Sequence, residues 1–411
     1  MAITIQAYSG NNYTYLRHSN EIVEGSQDEV LSPISFNRRE RIRSLPNLQV
    51  FTLGLTTKCN LRCTYCCYSG NYRNTRSHGN ISMKFKDVDK VLNFININAS
   101  KCPVIISFYG GESLLEIDIL KEFVRKAQLR WEEDVKFEIS TNGTLLTDEN
   151  IEYFVNHGFS LFISLDGSAS IHDRQRIYSN GKGSFEAIRM SLKSFSDNYP
   201  DFYKNNVHLM MTVIDVSEMP YIAKEWHEDE LLNSKTPIRI SSVAPNYSLG
   251  VEKENVDDCL SKYMSILKYY EKHPQYELLR VFFERFLAEW INRPIINLDI
   301  NENAPTCVPN NTKLYIDVEG KIGICEKIPD IYRIGSLSTG LDFQAINNIA
   351  DKTATIIKSR CGKCPVARLC DICPNVIDLS DDEMNVYCHN QRVIQEVKFR
   401  IFCEMAERGL I

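Results

Sequence analysis

The 411-residue chain is expected to fold as an α/β protein: a partial barrel of six βα units followed by a small cysteine-rich domain. Three observations predict this. Between Gln49 and Pro245, short apolar runs alternate with helical ones in the rhythm of a parallel sheet. A polar cluster follows each run where parallel αβ barrels collect functional groups, at the carboxyl end. The fourteen cysteines gather mainly in two sets, one after the first run and one beyond residue 304.

Composition narrows the class. Apolar residues make up 43% and charged residues 24%, values of an ordinary globular protein. A net charge of -6 argues against a nucleic-acid platform, which needs a basic surface. No apolar run reaches the roughly eighteen residues of a membrane span. The start, Met1 to Ser9, lacks the charged-then-apolar order of a signal peptide, so a cytoplasmic protein is expected. Disulfides are disfavoured there, which leaves the cysteines as metal ligands or buried thiols.

In chain order, residues 1–48 contain alternating runs about a Gly10-Asn11-Asn12 turn, the pattern of a hairpin, and a short helix over Phe36 to Arg43. This segment is either a cap or an edge that docks a peptide as an added strand. Residues 49–250 carry the barrel. Its strands are expected at Gln49–Thr56, Val104–Tyr109, Val135–Ser140, Ser160–Leu165, Val207–Val213 and Ile238–Val243. Helices are expected over Lys84–Ala99, Leu114–Arg130, from a Thr147 cap to His157, Phe185–Phe195 and Met219–Leu231, with Arg174–Asn180 as a polar loop. Residues 251–303 read as a two-helix bridge, Val256–Tyr270 and Tyr276–Ile291. Residues 304–390 form a separate domain held more by metal than by core, and 391–411 a closing helix.

The first strand runs into Cys59, Cys63, Tyr65 and Cys66, a C-x3-C-x2-C spacing with an aromatic residue before the last thiol. A structural zinc site wants four closed ligands, and no second pair lies nearby. Three thiolates on a [4Fe–4S] cluster leave one iron open. The motif resembles that of the radical S-adenosylmethionine (radical SAM) superfamily. That resemblance implies that S-adenosylmethionine chelates the open iron and that Tyr65 lies against its adenine. It also implies that Gly110, Gly111 and Glu112 hold the amino group of the methionine, a plain βα turn being the alternative. Ser140, Thr141, Asn142, Ser164 and Asp166 would serve the ribose and methionine; the last two, two apart in a strand, share a face. Arg176 resembles an arginine that reaches the cofactor carboxylate, against a solvated loop charge. Thr212 and Val213 would touch the adenine, with core packing the alternative for Val213.

The second cysteine set runs Cys307, twelve residues, Gly320, four residues, Cys325, then Cys361-x2-Cys364-x5-Cys370-x2-Cys373 and Cys388. It resembles the SPASM domain of peptide-modifying radical SAM enzymes, departing where Asp371-Ile372 stands in place of three residues. The family's order implies two auxiliary [4Fe–4S] clusters, one on Cys361, Cys364, Cys370 and Cys388, the other on Cys307, Cys325 and Cys373. The latter has three protein thiols, and Asn292 to Thr306 contains no cysteine to complete it. An open iron there could hold a substrate thiolate. Cys67, Cys102, Cys259 and Cys403 are read as buried small apolar side chains, Cys259 being the first to test as a missing ligand.

The resemblance implies an enzyme that reductively cleaves S-adenosylmethionine and uses the deoxyadenosyl radical on a ribosomally made precursor peptide. Its electron donor would be a flavodoxin or ferredoxin. The favoured reaction is an intramolecular thioether cross-link. The alternatives are carbon–carbon or carbon–oxygen linkage of side chains, formylglycine formation on a sulfatase, or a non-enzymatic zinc scaffold. No general base is assigned from sequence.

Overall fold

The computed structural model describes residues 2–29, 31, 41–70, 76–242, 252–295, 312–328, 330–370 and 372–411. Six strands run parallel in sequential order: β4 (Val50–Thr56), β5 (Val104–Gly110), β6 (Val135–Thr141), β7 (Ser160–Ser164), β8 (Val207–Val213) and β9 (Arg239–Ser242). They follow an antiparallel N-terminal sheet of β1 (Ile3–Gln6), β2 (Asn12–Leu16) and β3 (Glu21–Glu24), one strand more than the expected hairpin. The crossovers carry α1 (Val88–Asn98), α2 (Ile117–Trp131), α3 (Asp148–Asn156), α4 (Ala169–Gln175), α5 (Phe185–Asn198), α6 (Pro200–Asn206), α7 (Met219–Glu228) and α8 (Glu230–Asn233). Each covers apolar strand faces: Phe108 packs at 6.1 Å from Phe123 of α2 and Ile188 of α5 is fully buried.

Local signals set the helix starts. The Thr147 hydroxyl accepts from the Asn150 amide and begins α3 where expected. The polar loop expected over Arg174–Asn180 begins two residues later, because α4 continues through Gln175. Proline at the first helical position starts α6, which the sequence reading omits. The helix expected at Phe36–Arg43 lies mostly outside the described residues, and Arg41–Arg43 are not helical.

Beyond the barrel, α9 (Val256–Lys272), α10 (Glu277–Phe286) and α11 (Ala288–Ile291) form the bridge. The next strands do not stand apart. β10 (Lys313–Ile316) pairs in parallel with β4, from Lys313 opposite Val50 to Ile316 opposite Leu53. β11 (Lys321–Gly323), β12 (Arg333–Ser336) and β13 (Gly340–Leu341) continue the same sheet to ten strands. Leu314, Ile316, Ile322 and Ile334 are buried in the barrel's own core, so apolar packing holds this half of the C-terminal region.

α12 (Phe343–Arg360) leads into the cysteine loop, and α13 (Asp381–Glu407) closes the chain. This last helix begins ten residues before the Gln391 expected from sequence, and so carries Cys388. The missed signal is a capping box: Ser380 accepts from the Glu383 amide while the Glu383 side chain accepts from the Ser380 amide. The N-terminal sheet packs on α13. Tyr15 meets Trp290 edge-on at 5.1 Å, and Trp290 stacks on Phe399 at 4.9 Å. At the tip of the β1–β2 turn, Glu407 accepts from Ser9, Asn11 and Tyr13. Further on, Arg17 donates to the Gly362 and Cys364 carbonyls, each at 3.0 Å. The N-terminal sheet therefore braces the cysteine loop.

Candidate functional site: a cysteine-lined cavity at the carboxyl ends of the strands

The Cys59–Cys66 loop leaves β4 and is clamped from two sides. On one, the Gly111 amide donates to the Thr56 carbonyl and the Glu112 amide to the Lys58 carbonyl, both at 2.8 Å. On the other, the Arg62 amide donates to the Ile177 carbonyl at 2.7 Å and the Thr64 amide to the Gln175 carbonyl at 3.0 Å. Close approach explains the glycine pair. A Cβ at Gly110, which has φ +140, would sit 2.5 Å from the Thr56 carbonyl oxygen, and one at Gly111 would sit 2.0 Å from that of Lys58.

Cys59, Cys63 and Cys66 line one cavity of about 560 Å³ together with Tyr65, Gly110, Gly111, Ser140, Thr141, Asn142, Ser164, Arg176 and Thr212. Burial pushes the Cys59 thiol up to about 12 and Cys63 up to about 11, the latter opposed by the Arg176 guanidinium. Cys66 is raised by its hydrogen bond with Cys67 and by burial. A bound cation is what favours thiolates in such a place. Among the described residues no three His, Cys, Asp or Glu side chains converge on a single metal ion. The three thiols that share this cavity are the donors a [4Fe–4S] cluster takes, each thiolate binding a different iron. The cavity volume falls in the range of small-molecule sites, roughly 300 to 1,000 Å³. Its backbone amides, hydroxyls, amide and guanidinium suit a polar cofactor, so these residues fit both groups.

Three of the expected contact residues sit behind the wall. Glu112 is 1% exposed; its carboxylate accepts from Thr141 Oγ1 at 2.7 Å, the Asn142 amide at 2.8 Å and the Leu114 amide at 3.1 Å. Burial raises its pKa. Asp166, also 1% exposed, follows the end of β7 at Ser164 and lies beneath the cavity-lining residues. Its carboxylate instead accepts from Arg176 Nε at 2.8 Å, Arg176 Nη2 at 3.3 Å, the Thr212 amide at 2.9 Å and the Tyr65 hydroxyl. Arg176 lies 5.3 Å from the Tyr65 ring centroid and 4.0 Å from Cys63 Sγ. Asp166 thus orients the arginine and tyrosine that do line the cavity. Val213 is packed in the core, the alternative reading for it.

A buried relay supports this pair. The Asp166 amide donates to His172 Nδ1 at 3.2 Å, His172 Nε2 faces Ser184 Oγ at 3.0 Å, and Ser184 Oγ donates to the Arg176 carbonyl at 2.7 Å. The directions require a neutral imidazole with its proton on Nε2. Burial accordingly lowers the His172 pKa to about 4, below the ordinary value near 6.5. Between those values the unfolded chain binds the extra proton, so stability falls as pH drops from about 6.5 to about 4 and then levels. The loss attributable to His172 is about 3 kcal/mol. Denaturant unfolding from pH 7 to 4 should show a slope that shrinks in His172→Gln; an unchanged slope would refute this assignment.

The second cysteine set divides in space. Cys361, Cys364, Cys370 and Cys388 line one cavity of about 450 Å³. Burial pushes Cys361 up to about 12 and raises Cys388. Cys325 lies elsewhere, its sulfur accepting from the Lys327 amide at 3.4 Å, and shares a small cleft with Tyr332. Cys373 is half-buried against the same core cluster as Cys325. Cys307 lies outside the described residues. Of the four remaining cysteines, Cys403 is buried as expected, but Cys102 is exposed and Cys67 lines the cavity beside Cys66. Cys259 lies beside Glu254, whose carbonyl meets His389, the residue after Cys388.

Sequence reading also misses Tyr109, Phe162, Met210, Arg239, Glu326 and Lys327 in the cavity wall. Phe162 and Met210 look like ordinary strand residues until the sheet curls, and Lys327 reaches the site only because β10 docks on β4. The available signal is positional: Tyr109, Met210 and Arg239 stand on strands whose ends carry recognised polar groups.

The cysteine loop at the end of the first strand of the parallel run, above a polar cavity, has a counterpart in a known domain family. Residues 53–224 match the model of the Radical SAM superfamily, and the chain carries that domain. The α/β class and the run of six parallel strands are as expected, and a cysteine-rich region follows them. Over 155 residues, 36% of this chain and 40% of the relative, it is 34% identical to a cysteine-type anaerobic sulfatase-maturating enzyme of Clostridium novyi. Identity to the enzyme of that description from Clostridium perfringens is 23% over 388 residues, 86% of this chain and 97% of the relative. The solved structure of native anSMEcpe with bound AdoMet and Cp18Cys peptide superposes with a TM-score of 0.62 at 20% identity, covering 88% of this chain and all of that one. Among the described residues, no helix is long and apolar enough to cross a membrane.

Proposed function

We propose that this protein is a peptide maturase that oxidises a cysteine-containing segment of a ribosomally made peptide, forming a thioether from the cysteine sulfur to a neighbouring carbon. One observation carries the reading: a single cavity is walled on one side by Cys59, Cys63 and Cys66 and on the other by Glu326 and Lys327, which adjoin Cys325. A substrate held there lies between the two cysteine sets. Cys59, Cys63 and Cys66 would hold a [4Fe–4S] cluster. Gly110, Gly111, Ser140, Asn142, Ser164 and Arg176 would hold S-adenosylmethionine, with Tyr65 beside its adenine. When bound, these groups supply a primary carbon radical able to take hydrogen from an unactivated C–H bond. Glu112 and Asp166 keep the wall in place from behind. Cys361, Cys364, Cys370 and Cys388 would hold one auxiliary cluster, and Cys325 and Cys373, with Cys307, another. Replacing one C–H and one S–H by a C–S bond is a two-electron oxidation, and an electron acceptor held at the Cys325 loop would adjoin the substrate.

The relatives' names favour a second reading, oxidation of a sulfatase cysteine to formylglycine. The absence of a cysteine between Asn292 and Thr306 favours the first. Both need a substrate thiol. Anaerobic incubation of the reconstituted protein with S-adenosylmethionine, dithionite and a cysteine-containing precursor encoded beside its gene separates them. The thioether reading expects loss of two hydrogens with sulfur retained, and the formylglycine reading expects loss of sulfur. Equal conversion of a Cys→Ala precursor would refute both, and absence of deoxyadenosine would refute the radical chemistry.

A further inference from the structure

Two cations stand in the cavity wall away from Arg176. Arg239 is the first residue of β9, at one edge of the ten-stranded sheet, and Lys327 lies in the connection from β11 to β12 on the far side of β4, so both reach one cavity from distant parts of the sheet. Both are exposed to it. The Arg239 guanidinium donates from Nε to Ser241 Oγ at 3.0 Å, and neither side chain has a carboxylate partner among the described residues. The nearest anion, Glu326, is already taken: it is 8% exposed, ion-paired to Lys313 at 2.8 Å and directed toward Cys325. Two like charges facing one cavity whose lining carboxylate, Glu326, is already paired with Lys313 favour an anionic guest. By contrast, Arg176 in the same cavity has its carboxylate built in at Asp166.

We propose that Arg239 and Lys327 form a carboxylate-binding site that orients the peptide substrate, so that an acidic group of the peptide lies close to the residue being oxidised. This rests on the peptide-maturase reading. The arginine fork matches a carboxylate with its two free terminal nitrogens while Ser241 holds Nε, and the lysine adds a point charge from the other wall. The carboxylate is an Asp or Glu side chain or the peptide's own C-terminus, and both present the same two oxygens. Charge-assisted hydrogen bonds of this kind discriminate a carboxylate from its amide by on the order of ten- to a hundredfold.

The test is a binding measurement, independent of turnover. Fluorescein-labelled single-cysteine peptides, with Asp, Glu, Asn or Gln beside the cysteine and a free or amidated C-terminus, are titrated anaerobically against the reconstituted full chain with S-adenosylmethionine, reading anisotropy. The expected result is at least tenfold tighter binding of the carboxylate peptides, falling at high salt. That preference should be lost in Arg239→Gln/Lys327→Gln and largely kept in Arg239→Lys/Lys327→Arg, which shows that charge and not folding is at issue. Loss of preference on replacing the side chain assigns the Asp or Glu source, and loss on amidation the C-terminal one. Equal binding of acidic and amide peptides, including no binding of either, overturns the proposal, as does a preference that survives in the Gln variant. The maturase reading fails separately, on the product mass.

Discussion

Replacing Gly111 by alanine is expected to abolish S-adenosylmethionine cleavage while leaving most of the fold intact. The new Cβ would lie 2.0 Å from the Lys58 carbonyl oxygen and 2.6 Å from its carbon, both backbone atoms of the residue before Cys59. Neither can step aside as a side-chain tip would. The Glu112-to-Lys58 hydrogen bond must open, and the start of the cysteine loop must move outward with it. Misplacing reacting groups by about 1 Å costs on the order of a hundredfold in rate, so deoxyadenosine formation should fall at least that far. Iron taken up at this loop should fall with it, whereas uptake at the clusters proposed for the second cysteine set should be unchanged. The reading is wrong if Gly111→Ala takes up full iron and cleaves at the parent rate.

Asp166→Ala is expected to be the most destabilising single change in the site. It would remove the acceptor of two Arg176 hydrogen bonds, the Thr212 amide and the Tyr65 hydroxyl in one step. Arg176, 8% exposed, would be left as a buried cation without its carboxylate. Breaking a buried pair from one side costs about 3 to 5 kcal/mol. Asp166→Asn should cost less, because its amide oxygen still accepts from Thr212. The double change Asp166→Ala/Arg176→Met should recover part of the loss, since no uncompensated charge remains. Denaturant unfolding of the three variants gives the order directly, and an Asp166→Ala variant as stable as the parent would show that the ion pair does not stabilise the fold. Activity should fall more than tenfold even in Asp166→Asn, because Tyr65 and Arg176 lose the anchor that fixes both.

Local patterns carried much of the fold in the sequence. A period-two strand, a helix cap such as Thr147 and a turn such as Gly110-Gly111 each depend on a few adjacent residues, so their positions agree to within a residue or two. Cys59, Cys63 and Cys66 were legible for the same reason: their spacing lies within one loop, and the thiol's preference for soft metal ions is a property of the residue alone. The grouping of Cys361, Cys364, Cys370 and Cys388 was legible only through a resemblance, since Cys388 lies far along the chain and meets the others through the packing of α13 on the cysteine loop.

Residue type and spacing established the βα rhythm, the loop with three thiols and the polar residues at the strand ends. Tertiary structure alone decided which of those residues face the cavity. Glu112 and Asp166 read from sequence as contacts for a ligand, yet their carboxylates turn away, because buried backbone amides and a guanidinium offer them hydrogen bonds that a desolvated carboxylate cannot forgo. The parallel pairing of β10 with β4 brings Lys327 across from Arg239, and no local pattern encodes a contact between residues so distant in the chain. The nature of the chemistry lay within one short loop. The shape and charge of the space in which it acts depend on how distant parts of the sheet meet.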